Sequence, residues 1–310
     1  MKQVLDLTVM MYHYIRDPGD EAERGSGIAG FSVQAFEAQL DALSRTHNFV
    51  TWDDVRTAIQ EDQNLPHPSC LLTFDDGVRD HYFNVFRVLR DRHLSGLFFV
   101  LDRSEDGGLV LGHKIHFLLA KMGPNALRDA IWSRLDLAQR ELFVQAEFRY
   151  RLRYPGSSTE SNVNVLKAVL QREFSVQATS LLSDLFAQQI GSEEATARQY
   201  YLNLEQIREM SAGGMYFGGH SRSHPWFDWI DAEARSQEIQ ASGRWLQRFD
   251  AGPWAFAYPY GGLSDDSPAL LQKHGFVAGL TTREQIRHSD PYYIGRLDGE
   301  EFTQDEELHV

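Results

Sequence analysis

The chain has 310 residues, 42% of them hydrophobic, with no low-complexity tract, which is enough for one large α/β domain or two small ones around a substantial core. Asp and Glu outnumber Lys and Arg by 44 to 30, a formal net charge of -14, and this excludes a broad nucleic-acid-binding face. The single cysteine, Cys70, excludes an internal disulfide, and its apolar surroundings predict a packed thiol.

The opening residues place Asp6 inside a short apolar run without a small-residue cleavage pattern, and nowhere do about eighteen apolar residues run unbroken. A cytoplasmic protein with no transmembrane segment is the expectation. Residues 7–12 read as a strand of β-branched and aromatic types, and His13 arrives at its C-terminal end, before a Pro18-Gly19 loop. A histidine in that place is commonly a hydrogen-bonded structural residue. Ser32 opens a helix with Phe36, Leu40 and Leu43 at helical spacing, and Thr51 with Asp54 three residues on opens another in the manner of a capping box.

The run Cys70-Leu-Leu-Thr-Phe-Asp-Asp-Gly77 drives an apolar strand without alternation into two adjacent carboxylates and a glycine. Such a strand fits the interior of a parallel sheet, and the C-terminal edge of a parallel sheet is where α/β proteins place their chemistry. Asp75 and Asp76 point to different sides, so one can bind a metal while the other handles a proton. A capping Asp followed by a turn Gly would look the same in isolation. A helix over 80–92 and a buried strand over 97–101 complete a strand, helix, strand unit.

From about 107 to 206 the β-branched runs vanish and helical periodicity takes over, which predicts a helical insertion packing as a cap rather than a linker. Within it His113 and His116 share a helix face but lack a third ligand, so surface or core positions are expected for both. Strand character returns at Met215 and delivers His220-Ser-Arg-Ser-His224-Pro225. Two neutral imidazoles and one aspartate satisfy a catalytic divalent cation that keeps positions open for water and substrate. Residues 254–258 form another apolar strand, ending in Pro259-Tyr260-Gly261-Gly262, a sharp loop exposing backbone N–H groups, and 276–281 form one more.

Thr73-Phe-Asp-Asp-Gly77, His220-Ser-Arg-Ser-His-Pro225 and Tyr258-Pro-Tyr-Gly261, in this order and each at a strand end, resemble the signature of the polysaccharide deacetylase family, the NodB-homology or carbohydrate esterase 4 group. The resemblance covers about two-thirds of the chain, leaving the helical segment outside. It implies a distorted (β/α) barrel, here a single domain over 1–310 with the insertion at about 107–206. It also implies a divalent metal, most often zinc, and removal of acetyl groups from N-acetylated sugars of a polysaccharide or its precursor. By motif position Asp75 would be the base, and Asp76, His220 and His224 the metal ligands.

Two positions depart from the family pattern. Ala257 stands where many members carry an arginine oriented toward the catalytic aspartate, and the C-terminal Leu-x-x-His that supplies the acid has no match after Phe276, Leu308-His309 having the wrong spacing. In circularly permuted relatives that motif comes first in the chain, and Met10-Met-Tyr-His13 is its counterpart here, which makes His13 the expected acid. The oxyanion is then expected against the backbone N–H of Tyr260, with Trp254, Trp226 and Tyr260 contacting the sugar. Hydrolysis of another amide, such as a cyclic ureide or a formyl-sugar, keeps the same residues. So does a catalytically silent carbohydrate-binding protein, although an open metal position weighs against it.

Overall fold

The computed structural model describes residues 5–19, 26–102, 107–282, 287–288 and 290–300. Strands form where the apolar runs predict them, at β1 (Leu5–Tyr12), β3 (Ser69–Phe74), β4 (Leu97–Val100), β5 (Tyr216–Gly219), β6 (Trp254–Ala257) and β7 (Phe276–Leu280), and a two-residue strand that no apolar run predicts, β2 (Asn48–Phe49), lies between β1 and β3 in the chain. They pair in parallel in the order β7-β6-β5-β4-β3-β1, with β2 beside the first residues of β3. Helices α1 (Val33–Leu43), α2 (Trp52–Glu61) and α3 (Arg87–Asp91) connect the early strands. The caps at Ser32 and Thr51 form as expected, Thr51 with a complete capping box.

The sheet buries both faces. Leu7, Val9, Leu71, Phe99, Ala255 and Ala257 pack on one face, while their neighbours Met10, Leu72, Phe74, Phe98 and Phe256 pack on the other against α1 and α3. Cys70 is fully buried. Two short strands, β8 (Arg287–His288) and β9 (Leu297–Asp298), add to β1. Ile294 pairs with Leu280 of β7 and Leu297 with Met10 of β1, so the last described segment spans the opening between the two sheet edges and curls the sheet toward a barrel.

Between β4 and β5 the chain is helical: α4 (Leu111–Met122), α5 (Pro124–Trp132), α6 (Leu137–Arg153), α7 (Thr159–Ala168), a π-helical turn at Val169–Glu173, α8 (Ser175–Gln189) and α9 (Glu193–Tyr200). These helices share a core of their own, including Ile115, Leu118, Phe143, Leu170 and Phe186, into which Tyr14, Val78 and Leu101 from the strand-end loops also pack. The insertion therefore sits on the rim that carries the motifs. It ends where Tyr201 bridges to Val78, and α10 (Leu204–Ala212) leads back into β5. Helices α11 (Ala232–Leu246) and α12 (Ser267–Lys273) complete the barrel. No helix among the described residues is long and apolar enough to cross a membrane.

Candidate metal centre and active site

Four loops, after β1, β3, β5 and β6, converge on the C-terminal edge of the parallel sheet. Their backbone is unusual: of the six described non-glycine residues with positive φ, Asp76, Ser221, His224 and Tyr260 lie in these loops. Each such conformation costs on the order of 1–3 kcal/mol and persists only where its surroundings enforce it.

Asp76 Oδ1 lies 3.4 Å from His220 Nε2 and 3.5 Å from His224 Nε2, and the two Nε2 atoms are 3.1 Å apart. Ligands bound tetrahedrally at zinc distances stand about 3.4 Å from one another, so this triangle has the dimensions of one face of such a shell. The donor chemistry agrees. His220 Nδ1 donates to the Ala257 carbonyl at 2.8 Å, which turns the Nε2 lone pair toward the triangle. Burial, reinforced by the nearby His220, pushes the His224 pKa down to about 3, which keeps that imidazole a neutral donor. Asp76 Oδ1 is buried without a hydrogen-bond partner. Burial opposes ionisation of Asp76, but His113, followed by His220 and His224, outweighs it and holds the carboxyl well below the usual range. The expected ligand set is thus brought together, and it fits a divalent cation.

Asp75 stands beside this set, its Oδ2 4.0 Å from His220 Nε2. The tether that Ala257 does not provide comes from Arg296, which donates from both terminal nitrogens to the two Asp75 oxygens, each at 2.7 Å. Arg296 is fully buried and also donates to Thr73 Oγ1 and the Thr281 carbonyl. Burial raises the Asp75 pKa, yet the Arg296 charge and then His220 more than reverse this, leaving it below the ordinary value. His13 is half-buried at the end of β1, and its charge also bears on Asp75. Its loop is pinned from below: His81 Nε2 donates to the His13 carbonyl at 2.9 Å, Asn84 donates to the Ile15 carbonyl, and Arg16 pairs with Asp80 in a buried bidentate bridge.

Tyr260 adopts φ 56°, which turns its ring between two partners. It meets His224 edge-on with centroids 4.4 Å apart and stacks on Trp226 at 4.4 Å and 11°. The Arg172 guanidinium lies 3.7 Å from the Trp226 ring centroid, necessarily on the opposite face. Both faces of Trp226 are therefore covered. Gly112 at the start of α4 permits this closure, since a Cβ there would come within 2.9 Å of Tyr260 Oη. A groove of about 340 Å³ runs from His224 past Trp226, Trp229, Arg172 and Gln171.

The expectation for Trp254 is corrected. It opens β6, at the end of the strand away from the motif, is buried, and packs on Phe276 in the core. An aromatic at the N-terminal end of a parallel strand faces away from the rim where the ligands gather. His113 also departs from the reading as a bystander: it is buried, but its Nε2–H donates to Asp76 Oδ2 at 3.1 Å. His116 bonds the Tyr14 hydroxyl at 3.0 Å and remains a core residue. Sequence reasoning missed Arg296 as well. Its signal was an arginine within the otherwise apolar Tyr292-Tyr-Ile-Gly-Arg-Leu297, in a chain with a buried aspartate left unpaired by Ala257.

No curated protein sequence matches the chain. Residues 172–279, which hold the His220 and Tyr258 motifs, match the polysaccharide deacetylase family. Among solved structures the fold matches a de-N-acetylase from Aggregatibacter actinomycetemcomitans at TM-score 0.58 and 15% identity, covering 96% of this chain and 97% of that one. It matches IcaB from Ammonifex degensii at 0.56 and 19%, covering 97% and 93%, and Streptococcus pyogenes deacetylase PplD at 0.55 and 15%, covering 97% and 96%. Residues 172–279 thus resemble the polysaccharide deacetylases in sequence, and the curled parallel sheet with its helical cover shares the fold of these deacetylase structures over nearly its whole length.

Proposed function

We propose that this protein is a metal-dependent hydrolase that removes acetyl groups from N-acetylated sugars, built as one barrel domain over residues 1–310 with a helical insertion at its mouth. The observation that carries the reading is the convergence of Asp76 Oδ1, His220 Nε2 and His224 Nε2 within 3.1–3.5 Å of one another, beside a second buried carboxylate clamped by an arginine. A cation in that triangle, zinc by its two imidazoles and one carboxylate, would supply Lewis acidity toward water and the acetyl carbonyl.

The chain's own groups account for the proton movements that amide hydrolysis needs. Asp75, held in orientation by Arg296, takes a proton from the attacking water. The backbone N–H of Tyr260 donates to the oxygen that gains charge as the carbonyl becomes tetrahedral. His13 then protonates the departing sugar nitrogen as the C–N bond breaks, giving acetate and a free amine. Tyr260 and the edge of Trp226 border the acetylated ring.

The reading is tested by acetate release from N-acetylated oligosaccharide, lipid-linked and nucleotide-linked sugars, using metal-stripped protein and the same protein reloaded with zinc. Release only after reloading supports it. Turnover confined to a cyclic ureide or a formyl-sugar replaces the substrate class, and carbohydrate binding without turnover of any substrate overturns it.

A further inference from the structure

The insertion hydrogen-bonds to the ligand set through His113, and that contact is built from both of its ends. On the entry side, α4 supplies His113, enclosed by the rings of Tyr14, Tyr200 and Tyr201 and 2% exposed. On the exit side, the backbone of Tyr200–Leu202 is laced to the residues that follow Asp76: Arg79 N–H donates to the Tyr200 carbonyl at 2.9 Å, Leu202 N–H donates to the Gly77 carbonyl at 2.8 Å, and Tyr201 bridges Val78. The two ends meet at the Tyr201 hydroxyl. It accepts the Val110 N–H at 3.2 Å and donates to His113 Nδ1 at 2.6 Å, leaving His113 Nε2–H directed at Asp76 Oδ2 at 3.1 Å.

This chain matters because Asp76 is held under two constraints. Its backbone sits at φ 74°, a left-handed conformation, and its two carboxylate oxygens serve different partners. With Oδ2 engaged by His113, Oδ1 is the oxygen turned toward His220 and His224. A carboxylate free to rotate would present either oxygen, in many orientations, and would lose that freedom again on each binding event.

We infer that His113 is a positioning residue for the metal ligand Asp76, and that the helical insertion, through the Val110, Tyr201 and His113 relay, sets the metal affinity of the barrel. This rests on the proposed metal dependence. Hydrogen-bond partners of metal ligands are worth about 10–100-fold in affinity.

The test is titration of the metal-stripped full-length chain with Co²⁺, read by its d–d absorption, and with Zn²⁺ in competition with a chelator. His113→Ala is expected to weaken binding about 10–100-fold. His113→Gln, which retains an N–H able to reach Asp76, should recover most of the loss, and Tyr201→Phe should fall between wild type and His113→Ala. The Tm of each metal-free variant separates this role from a merely structural one. A lowered Tm with wild-type affinity and an unchanged cobalt spectrum in His113→Ala overturns the inference while leaving the metal reading intact. Failure of wild type itself to bind either ion overturns both. If His113→Ala does not fold, equal affinity in wild type, His113→Gln and Tyr201→Phe overturns the inference, whereas weaker binding in Tyr201→Phe with recovery in His113→Gln supports it.

Discussion

The strand-end loops and the segments that close over them contribute to the site in different ways. The loops after β3, β5 and β6 carry their residues as compact motifs, so Asp75-Asp76, His220 with His224, and Tyr260 each arrive a few residues apart on a scaffold that fixes their positions. The closing segments contribute one residue each, from far away in the chain. His113 comes from α4 to Asp76, and Arg296 comes from the strip joining β7 to β1, to Asp75. Each buried carboxylate thus has a motif-borne position and a remotely supplied partner. A barrel rim can present reactive groups, but the closing segments desolvate them and select their orientation.

Substitutions can break this comparison on either side. The largest effect is expected from the motif side: Asp76→Ala should abolish stoichiometric divalent metal binding, checked by metal analysis after dialysis, and acetate release with it. Asp75→Asn should retain the metal and lower kcat by roughly 10²–10⁴-fold, the span of general-base contributions. His13→Ala should likewise keep metal content and lower kcat by on the order of 100-fold at saturating metal. Wild-type turnover in His13→Ala would leave the leaving amine without an assigned acid.

Of the closing segments, the strip that carries Arg296 should act more through pH than through the metal. Arg296 lowers the Asp75 pKa, so Arg296→Met removes that lowering and the pKa rises. A base is lost below its pKa, so the acid limb of kcat/KM should move to higher pH in the variant while metal content stays at the wild-type level. An unmoved limb would mean that Asp75 does not set it. The smallest effect on catalysis is expected at Trp254, where Phe should cost about 1–3 kcal/mol of stability through the buried contacts it loses and the space it leaves, with kcat and KM unchanged.

The same division explains what could be read in advance. Unbroken apolar runs ending in Asp75-Asp76, His220 and Tyr258 fixed the parallel sheet and its working edge, because a strand buried on both faces and a polar residue at its end are local signals. The insertion was legible as helical by period alone. His113 was not legible as part of the site. Three residues from His116 on a helix it has no local partner set, and its role exists only once the exit segment at Tyr201 lies beside Val78. Arg296 is 221 residues from Asp75, so no spacing rule connects them. Trp254 misled for the opposite reason: an aromatic close to a motif in sequence reads as a sugar platform, although one that opens the strand lies at the end away from that motif.

The central claim is that Asp76, His220 and His224 share one catalytic cation while Asp75 moves the proton. The most direct measurement is acetate release from an N-acetylated oligosaccharide by metal-stripped protein across a Zn²⁺ titration, for wild type and Asp75→Asn side by side. The account predicts one bound ion per chain in both proteins, with activity rising in step with occupancy in wild type and staying roughly 100-fold or more lower in Asp75→Asn. Full-rate release by the stripped protein, or equal rates in the two proteins at saturating metal, would contradict it.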